Sequence, residues 1–328
     1  MTGLSKNSVT KLIIGEEEGG QRLDNYLFRI CKGIPKSHVY RILRSGEVRI
    51  NSGRVTAAYR LQAGDLVRLP PMRYAANEAE EASEEVRGQA LKADLPVLYE
   101  DDALVVINKP AGIAVHGGSG VSFGVIEALR QQRPQAKFLE LAHRLDRETS
   151  GILLVAKKRS ALTALHDMFR EGGRSDKRYL TLVSGRWMDK VRNVRLPLYK
   201  YLLDNGERRV RVAPDGKPSH TVFRLMSRWQ RFSLLEAQLK TGRTHQIRVH
   251  LSHSGFPIAG DDKYGDFDLN KVLQKQGLKR MFLHAYQMRF PHPLTGESLS
   301  VAAPLPAQLQ QFLDFLNRTE SLEYGAPL

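Results

Sequence analysis

The sequence predicts an α+β protein of two unequal parts: a small α/β module near the start, then a large domain on a mostly antiparallel mixed sheet with flanking helices. Three observations carry this expectation. Beyond residue 96, strand-like apolar runs outnumber helical stripes and do not alternate as strict βαβ units. Residues 74–95 change composition abruptly, with six acidic residues, two basic ones, many alanines and no apolar periodicity, as a solvated linker does. At 328 residues, the chain exceeds one ordinary core and suits one large domain plus a small one.

The totals narrow the class of partner. Fifty Lys and Arg against 35 Asp and Glu leave a net charge of +15, which points to an anionic partner, nucleic acid ahead of a membrane surface. No apolar run approaches the roughly 20 residues that a membrane span needs. The first ten residues lack the basic start and apolar stretch of a secretory signal. The single cysteine, Cys31, excludes an internal disulfide framework and fits a reducing compartment, so the expected location is cytoplasmic. No internal repeat is visible.

Taken in order, residues 1–20 read as an N-terminal tail with one apolar piece, Leu12-Ile13-Ile14. Residues 21–73 form the small module. Leu23, Tyr26, Leu27 and Ile30 make a helical stripe, Pro35 breaks it, and Ser37 is placed to cap a second helix carrying Val39, Ile42 and Leu43 up to Gly46. Lys36, Arg41 and Arg44 fall off that stripe and make a basic outer face. Short strands follow at Val48–Ile50 and Asp65–Leu69, with a turn at Asn51-Ser52-Gly53. The module holds eleven Lys or Arg against three Asp or Glu, a net +8. More than half of the excess positive charge therefore sits in under a fifth of the chain.

Residues 96–328 form the large domain. Strands are expected at Leu104–Ile107, Ile152–Ala156, Lys177–Val183, Val222–Leu225 and Leu234–Leu239, and a hairpin pairs Tyr286–Phe290 with Leu299–Val301. Helices are expected at Val125–Arg130, around Leu162, Leu165, Met168 and Phe169 up to Gly172-Gly173, from a cap at Thr244 to Gly255, and over Pro306–Leu316. The loop Leu141–Gly151 crowds His143, Arg144, Asp146, Arg147 and Glu148 at the mouth of a buried strand, where charge without partners is costly.

Several familiar sites are excluded or demoted. Gly118, Gly120 and Gly124 are spaced GxGxxxG rather than GxGxxG, and there is no Walker A motif. Ser150 stands in Thr-Ser-Gly, not in a nucleophile elbow. His245, His250 and His253 have no cysteine nearby, and the first two fall on different helix faces, so no metal is expected and they read as core or surface histidines. Taken singly, Asp146 reads as a surface ion pair, Tyr179 as a core strand residue and Arg248 as a helix-face charge.

Together, these residues fall into spaced motifs. His143-Arg144-Leu145-Asp146 followed by Thr149-Ser150-Gly151 resembles the signature of the RluA-type pseudouridine synthases. Lys177-Arg178-Tyr179 resembles that family's tyrosine motif, and Lys240 to His250 resembles the segment supplying its basic residue. Asn108–Gly112 with Val115-His116, and Phe282–Ala285, match further blocks in the family's order. The small module resembles the S4 RNA-binding domain through Arg22-Leu23-Asp24, Ser45-Gly46-Glu47-Val48, Asn51 and Gly53.

The resemblance implies an isomerase that needs no cofactor, with Asp146 catalytic, Tyr179 and Arg248 in support and Leu283 as an apolar wall. Arg144, with His143 beside it, is expected either to fill the space left by a flipped base or to contact phosphate. Lys36, Arg41 and Arg44 are expected to bind RNA phosphates. The implied partner is 23S rRNA or another structured RNA, with no membrane, small-molecule cofactor or obligate protein partner. Two rivals stand beside this reading. One is a non-catalytic RNA-binding assembly factor; the other is a base-releasing hydrolase pairing Asp146 with Glu148.

Overall fold

The computed structural model describes residues 8–31, 34, 36–72, 94–117, 124–204 and 207–326, without the side chain of Lys36. Two compact units separate: residues 1–92 with 135–138, and residues 93–134 with 139–328. The linker expected at 74–95 falls almost wholly outside the described residues, as does the glycine-rich stretch from Gly118 to Gly120.

In the first unit the chain runs β1 (Thr10–Ile13), α1 (Leu23–Ile30), α2 (Lys36–Arg44), β2 (Arg49–Ile50), β3 (Gly53–Arg54) and β4 (Leu66–Leu69). The two apolar stripes meet as expected, Leu23 and Leu27 sharing one core with Val39, Ile42 and Val67. The strands pair in the order β1-β4-β2-β3. The stretch expected as a tail is thus partly an edge strand, with Thr10 opposite Leu69 and Ile13 opposite Leu66. Four residues with only two apolar side chains carry too little periodicity to reveal a strand whose stability comes from its partner. Ser37 lies inside α2 and does not cap it. Asn51 and Ser52, at φ 49° and 69°, supply the left-handed pair that a two-residue hairpin between β2 and β3 requires.

The second unit runs β5 (Val97–Glu100), β6 (Leu104–Lys109), α3 (Val125–Gln132), β7 (Glu140–Leu141), β8 (Ser150–Ala156), α4 (Arg159–Glu171), β9 (Asp176–Ser184), β10 (Val191–Arg195), β11 (Leu198–Leu202) and β12 (Arg208–Val212). It continues through β13 (His220–Arg228), β14 (Phe232–Leu239), α5 (Gln246–His253), α6 (Phe267–Lys275), β15 (Leu283–Pro291), β16 (Ser298–Ala302) and α7 (Ala307–Thr319). The main path of the large sheet is β10-β13-β14-β9-β15-β8-β6-β5, with β16 on β15 and β7 on β8. Only β8 and β15 pair in parallel among the described strands; the other pairs in the sheet are antiparallel, as expected from the absence of βαβ alternation.

Besides the short strands β1, β5, β7 and β10, the sequence does not reveal the β11–β12 hairpin or helix α6. The β11–β12 hairpin is rich in Tyr, Lys and Arg, and only Leu198 and Val210 sink into a small cluster with Val249. Helix α6 buries only Asn270 and Leu273, and its start is set by Asp266, whose side chain accepts from the Asp268 and Leu269 backbone N–H groups.

β8 is buried along all seven residues, and its first turn into the sheet positions the polar loop before it. Gly151 has φ +109°, and a Cβ there would lie 2.2 Å from the Ala285 carbonyl oxygen on β15. That close approach brings the end of the Asp146 loop against β15. Gly151→Ala is expected to cost about 3 kcal/mol of stability, measured by chemical denaturation; a loss under about 0.5 kcal/mol would show that the junction relaxes freely.

Candidate active site

The loop between β7 and β8 is tied down by buried polar groups. The Lys109 ammonium, fully buried, donates to the carbonyls of Pro110 at 2.8 Å, Ile113 at 2.9 Å and Arg147 at 3.0 Å. Burial and the Arg280 charge push it down to about 7, against the opposing pull of Glu148 and Asp146. Arg280 donates to the Ser150 hydroxyl at 2.8 Å and to the Glu148 carbonyl at 3.3 Å. His284 Nε2 donates to the Ala303 carbonyl at 3.2 Å, so its Nδ1, 2.9 Å from Ser150 Oγ, accepts the hydroxyl proton. This Ser–His pair is buried on both sides and serves as a brace, in keeping with the exclusion of a nucleophile elbow.

His143 lines the same cavity as Asp146 and Tyr179 and is also tied to the strand behind the loop. Its Nε2 accepts from the Leu154 backbone N–H at 3.1 Å, and its ring packs edge-on against Phe169. Burial, with the Lys177 charge, pushes its pKa down to about 3. It anchors the loop on β8 as a neutral imidazole, a role that motif spacing could not separate from RNA contact. Arg144 stands exposed on the cavity rim. Glu148 accepts from Arg147 at 2.8 Å and does not line the cavity.

The cavity measures about 530 Å³, and Asp146, Tyr179, Arg248 and Leu283 all line it. Sheet register explains the meeting. Tyr179 on β9 lies opposite Ala285 on β15, so Leu283, two residues earlier, shares its face. Helix α5 delivers Arg248, whose Nη1 reaches Asp146 Oδ2 at 3.2 Å. The same guanidinium grips Asp261 with two bonds, Nε to Oδ2 at 2.8 Å and Nη2 to Oδ1 at 2.7 Å.

Charges and burial set the state of each group. Burial favours neutral Asp261, but Arg248 and the backbone N–H groups of Lys263 and Tyr264 outweigh it and hold the carboxyl below its usual range. Arg248 is held above its usual range because Asp261 and Asp146 overcome its own desolvation. Burial and the nearby Asp146 push the Tyr179 phenol upward, so its hydroxyl keeps its proton and can donate but not act as a base.

Asp261 lies 13 positions beyond Arg248 in a non-periodic turn and was not found from sequence. His245, which its sequence position marks as a core or surface residue, also lines the cavity, 3.8 Å from Asp146 Oδ2. The other two histidines meet that expectation: His250 is buried between Ser219 and Thr221, and His253 is exposed. Among the described residues, no group of three His, Cys, Asp or Glu is placed to hold a metal ion, and no helix is long and apolar enough to cross a membrane.

In the first unit, Arg41 and Arg44 are exposed on α2. Arg41 reaches His38 at 3.4 Å and Glu47 at 4.0 Å, while Arg44 Nε donates to the Tyr40 carbonyl at 3.3 Å. A hollow of about 390 Å³ is lined by Arg44 and Arg54. The Lys36 side chain lies outside the described set.

Comparison with known proteins decides what this arrangement belongs to. Residues 103–253 match the RNA pseudouridylate synthase family, and residues 21–67 match the S4 domain. The ribosomal large subunit pseudouridine synthase C of Pasteurella multocida is 52% identical over 314 residues, 96% of this chain and 96% of that one. The chain belongs to the RNA pseudouridylate synthase family. It is an isomerase of the RluA type that carries an S4 RNA-binding domain. The Escherichia coli (strain K12) ribosomal large subunit pseudouridine synthase C is also 52% identical, covering 94% of this chain and 97% of that one. The solved human RNA pseudouridylate synthase domain containing 4 superimposes with a TM-score of 0.58 at 28% identity, covering 75% of this chain and all of that one.

Within this synthase, Arg248→Ala would strand the buried Asp261 charge and is expected to cost about 3–5 kcal/mol, read by denaturant unfolding, whereas Asp146→Asn should change stability far less. Equal stabilities would show that the pair is solvent-screened. The buried histidines also set an acid limit. Burial lowers His250 and His284 to about 4, while the unfolded chain titrates near 6.5. The unfolded state binds more protons between those values, so stability is full above about 6.5 and is lost as pH falls toward 4. Thermal unfolding from pH 7 to pH 4 should show this drop, and His250→Gln should flatten it.

Proposed function

We propose that the protein isomerises specific uridines of 23S ribosomal RNA to pseudouridine, with Asp146 as the reacting carboxylate and no cofactor. The substrate assignment is supported by relatives 52% identical that carry the name ribosomal large subunit pseudouridine synthase C. The observation that carries the chemistry is the convergence of Asp146, Arg248, Tyr179 and Leu283 on one cavity. Such a protein would work in the cytoplasm, where it meets that RNA.

The reaction needs little besides these groups. The bond from uracil N1 to ribose C1′ breaks, C5 bonds to C1′, the C5 proton leaves and N1 gains one. Atoms and electrons balance within the substrate, so neither an oxidant nor ATP is required. An ionised carboxylate next to base and sugar fits each way of starting this sequence, by attack on C1′, addition to the base or removal of the 2′ proton. Leu283 and the Tyr179 ring supply an apolar wall that keeps water from the detached base. The Tyr179 hydroxyl, held protonated, can donate to a uracil oxygen.

The target nucleotide has to leave its stack at a cost of a few kcal/mol. Arg144 on the rim can meet either the vacated space or a flanking phosphate. On the S4 unit, Arg41 and Arg44 would hold phosphates and fix the register without reading sequence.

Carbodiimide mapping of pseudouridine in cells lacking the gene, complemented with wild type or Asp146→Asn, tests this reading. Wild type should restore at least one 23S rRNA site and the variant none; restoration by the variant, or no lost site in the null strain, defeats it. Free uracil accumulating from RNA would favour the hydrolase rival. The double variant Arg41→Ala/Arg44→Ala should lower the slope of log affinity against log salt by about 1.4, at roughly 0.7 per phosphate contact. An unchanged slope would place the phosphate contacts elsewhere.

A further inference from the structure

His245 is built into the cavity with unusual backbone and hydrogen-bond constraints. It precedes α5 as the N-cap, but at φ 54° and ψ 20°, where N-caps are ordinarily extended. The other non-glycine residues with positive φ among the described residues are Asn51 and Ser52, both in the β2–β3 turn. A left-handed histidine outside such a turn is strained, and strain of this kind clusters at working sites. Its side chain makes no cap hydrogen bond to the helix it precedes.

The ring's partners fix its tautomer. The Val210 backbone N–H donates to the Tyr264 hydroxyl oxygen at 2.9 Å. The Tyr264 proton is then free for His245 Nδ1, at 2.8 Å, which acts as acceptor. The single ring proton of neutral imidazole is left on Nε2, the nitrogen facing Asp146 Oδ2 at 3.8 Å. A bare lone pair facing a carboxylate would be repelled, so both ends of the ring select the same form. Burial also lowers the pKa of His245, with Arg248 and Lys263 acting in the same direction and Asp146 and Asp261 opposing.

Arg248 Nη1 and His245 Nε2 approach the same oxygen, Oδ2 of Asp146. Among the described residues, every recorded side-chain contact to that carboxylate is to Oδ2. The 3.8 Å gap is too long for a hydrogen bond, and contacts of this kind tighten when substrate fills a site.

We propose that His245 is a positioning residue for Asp146: as the Nε2–H tautomer it shares Oδ2 with Arg248, orients the carboxylate and leaves Oδ1 to react. This rests on Asp146 being the reacting group. Two substitutions separate the role from simple packing. His245→Asn suits the left-handed backbone and can still meet Tyr264, but it has no donor at the Nε2 position. His245→Gln places an amide N–H near that position.

Steady-state kinetics on 23S rRNA should show kcat reduced about 10- to 100-fold for Asn, with KM and unfolding midpoint close to wild type, and most of the loss recovered by Gln. Wild-type kcat in the Asn variant, or no recovery with Gln in a folded protein, overturns the proposal. The tautomer has its own readout: the ¹⁵N spectrum of the histidine-labelled enzyme should give a protonated Nε2 and an unprotonated Nδ1 for His245, and the reverse assignment overturns it. An inactive Asp146→Asn beside a fully active His245→Asn removes only this inference, whereas an active Asp146→Asn removes the reading beneath it.

Discussion

The site depends on a buried ion pair that is not itself the reactive group. Arg248 lies in the interior with Asp261, joined by two short hydrogen bonds, and desolvating both partners is tolerable only because each satisfies the other. The guanidinium's remaining Nη1 projects into the cavity and meets Asp146. Planar and rigid, it transfers the fixed position of Asp261 to Asp146, as a lysine ammonium on a flexible stem would not. The Tyr264 ring, 5.1 Å from that guanidinium, closes the arrangement from a further side.

The sheet turns this pair into a site. Asp146 enters from the loop before β8, Tyr179 from β9 and Leu283 from the start of β15, three neighbouring strands whose pairing brings distant residues together. The parallel contact of β8 with β15 requires Gly151, since no side chain fits against the Ala285 carbonyl. Behind the loop, Lys109, Arg280, Ser150 and His284 satisfy backbone carbonyls and one another. A polar loop can therefore end inside a buried core without orphaned groups, and its rigidity follows from that bonding.

Much of this was legible in the sequence wherever a local rule applied. The helical stripes of α1, α2 and α4, the apolar strand β8 and the final hairpin all follow periodicity that tertiary packing did not override. Asp146, Tyr179, Arg248 and Leu283 were identified through motifs, although their meeting in one cavity depends on strand register that no motif contains. Asp261 was invisible because its partner is 13 residues away and its own stretch has no period. His245 is hidden from periodicity because a helical wheel assumes helical angles, and its φ of 54° takes it off the wheel. β1 leaves no sequence signal because a short edge strand is defined by its neighbour, and the β11–β12 hairpin leaves none because its apolar content is so small.

The chain of support from Asp261 through Arg248 to Asp146 is the central claim, and Asp261→Asn isolates it by removing one buried charge at nearly constant shape. The direct measurement is single-turnover release of tritium from 23S rRNA labelled at uracil C5, the position that loses its proton when C5 bonds to C1′. Folded Asp261→Asn should release tritium at least about tenfold more slowly than wild type with RNA affinity unchanged. Release at the wild-type rate would contradict the account, because Asp146 would then be positioned without the ion pair behind it.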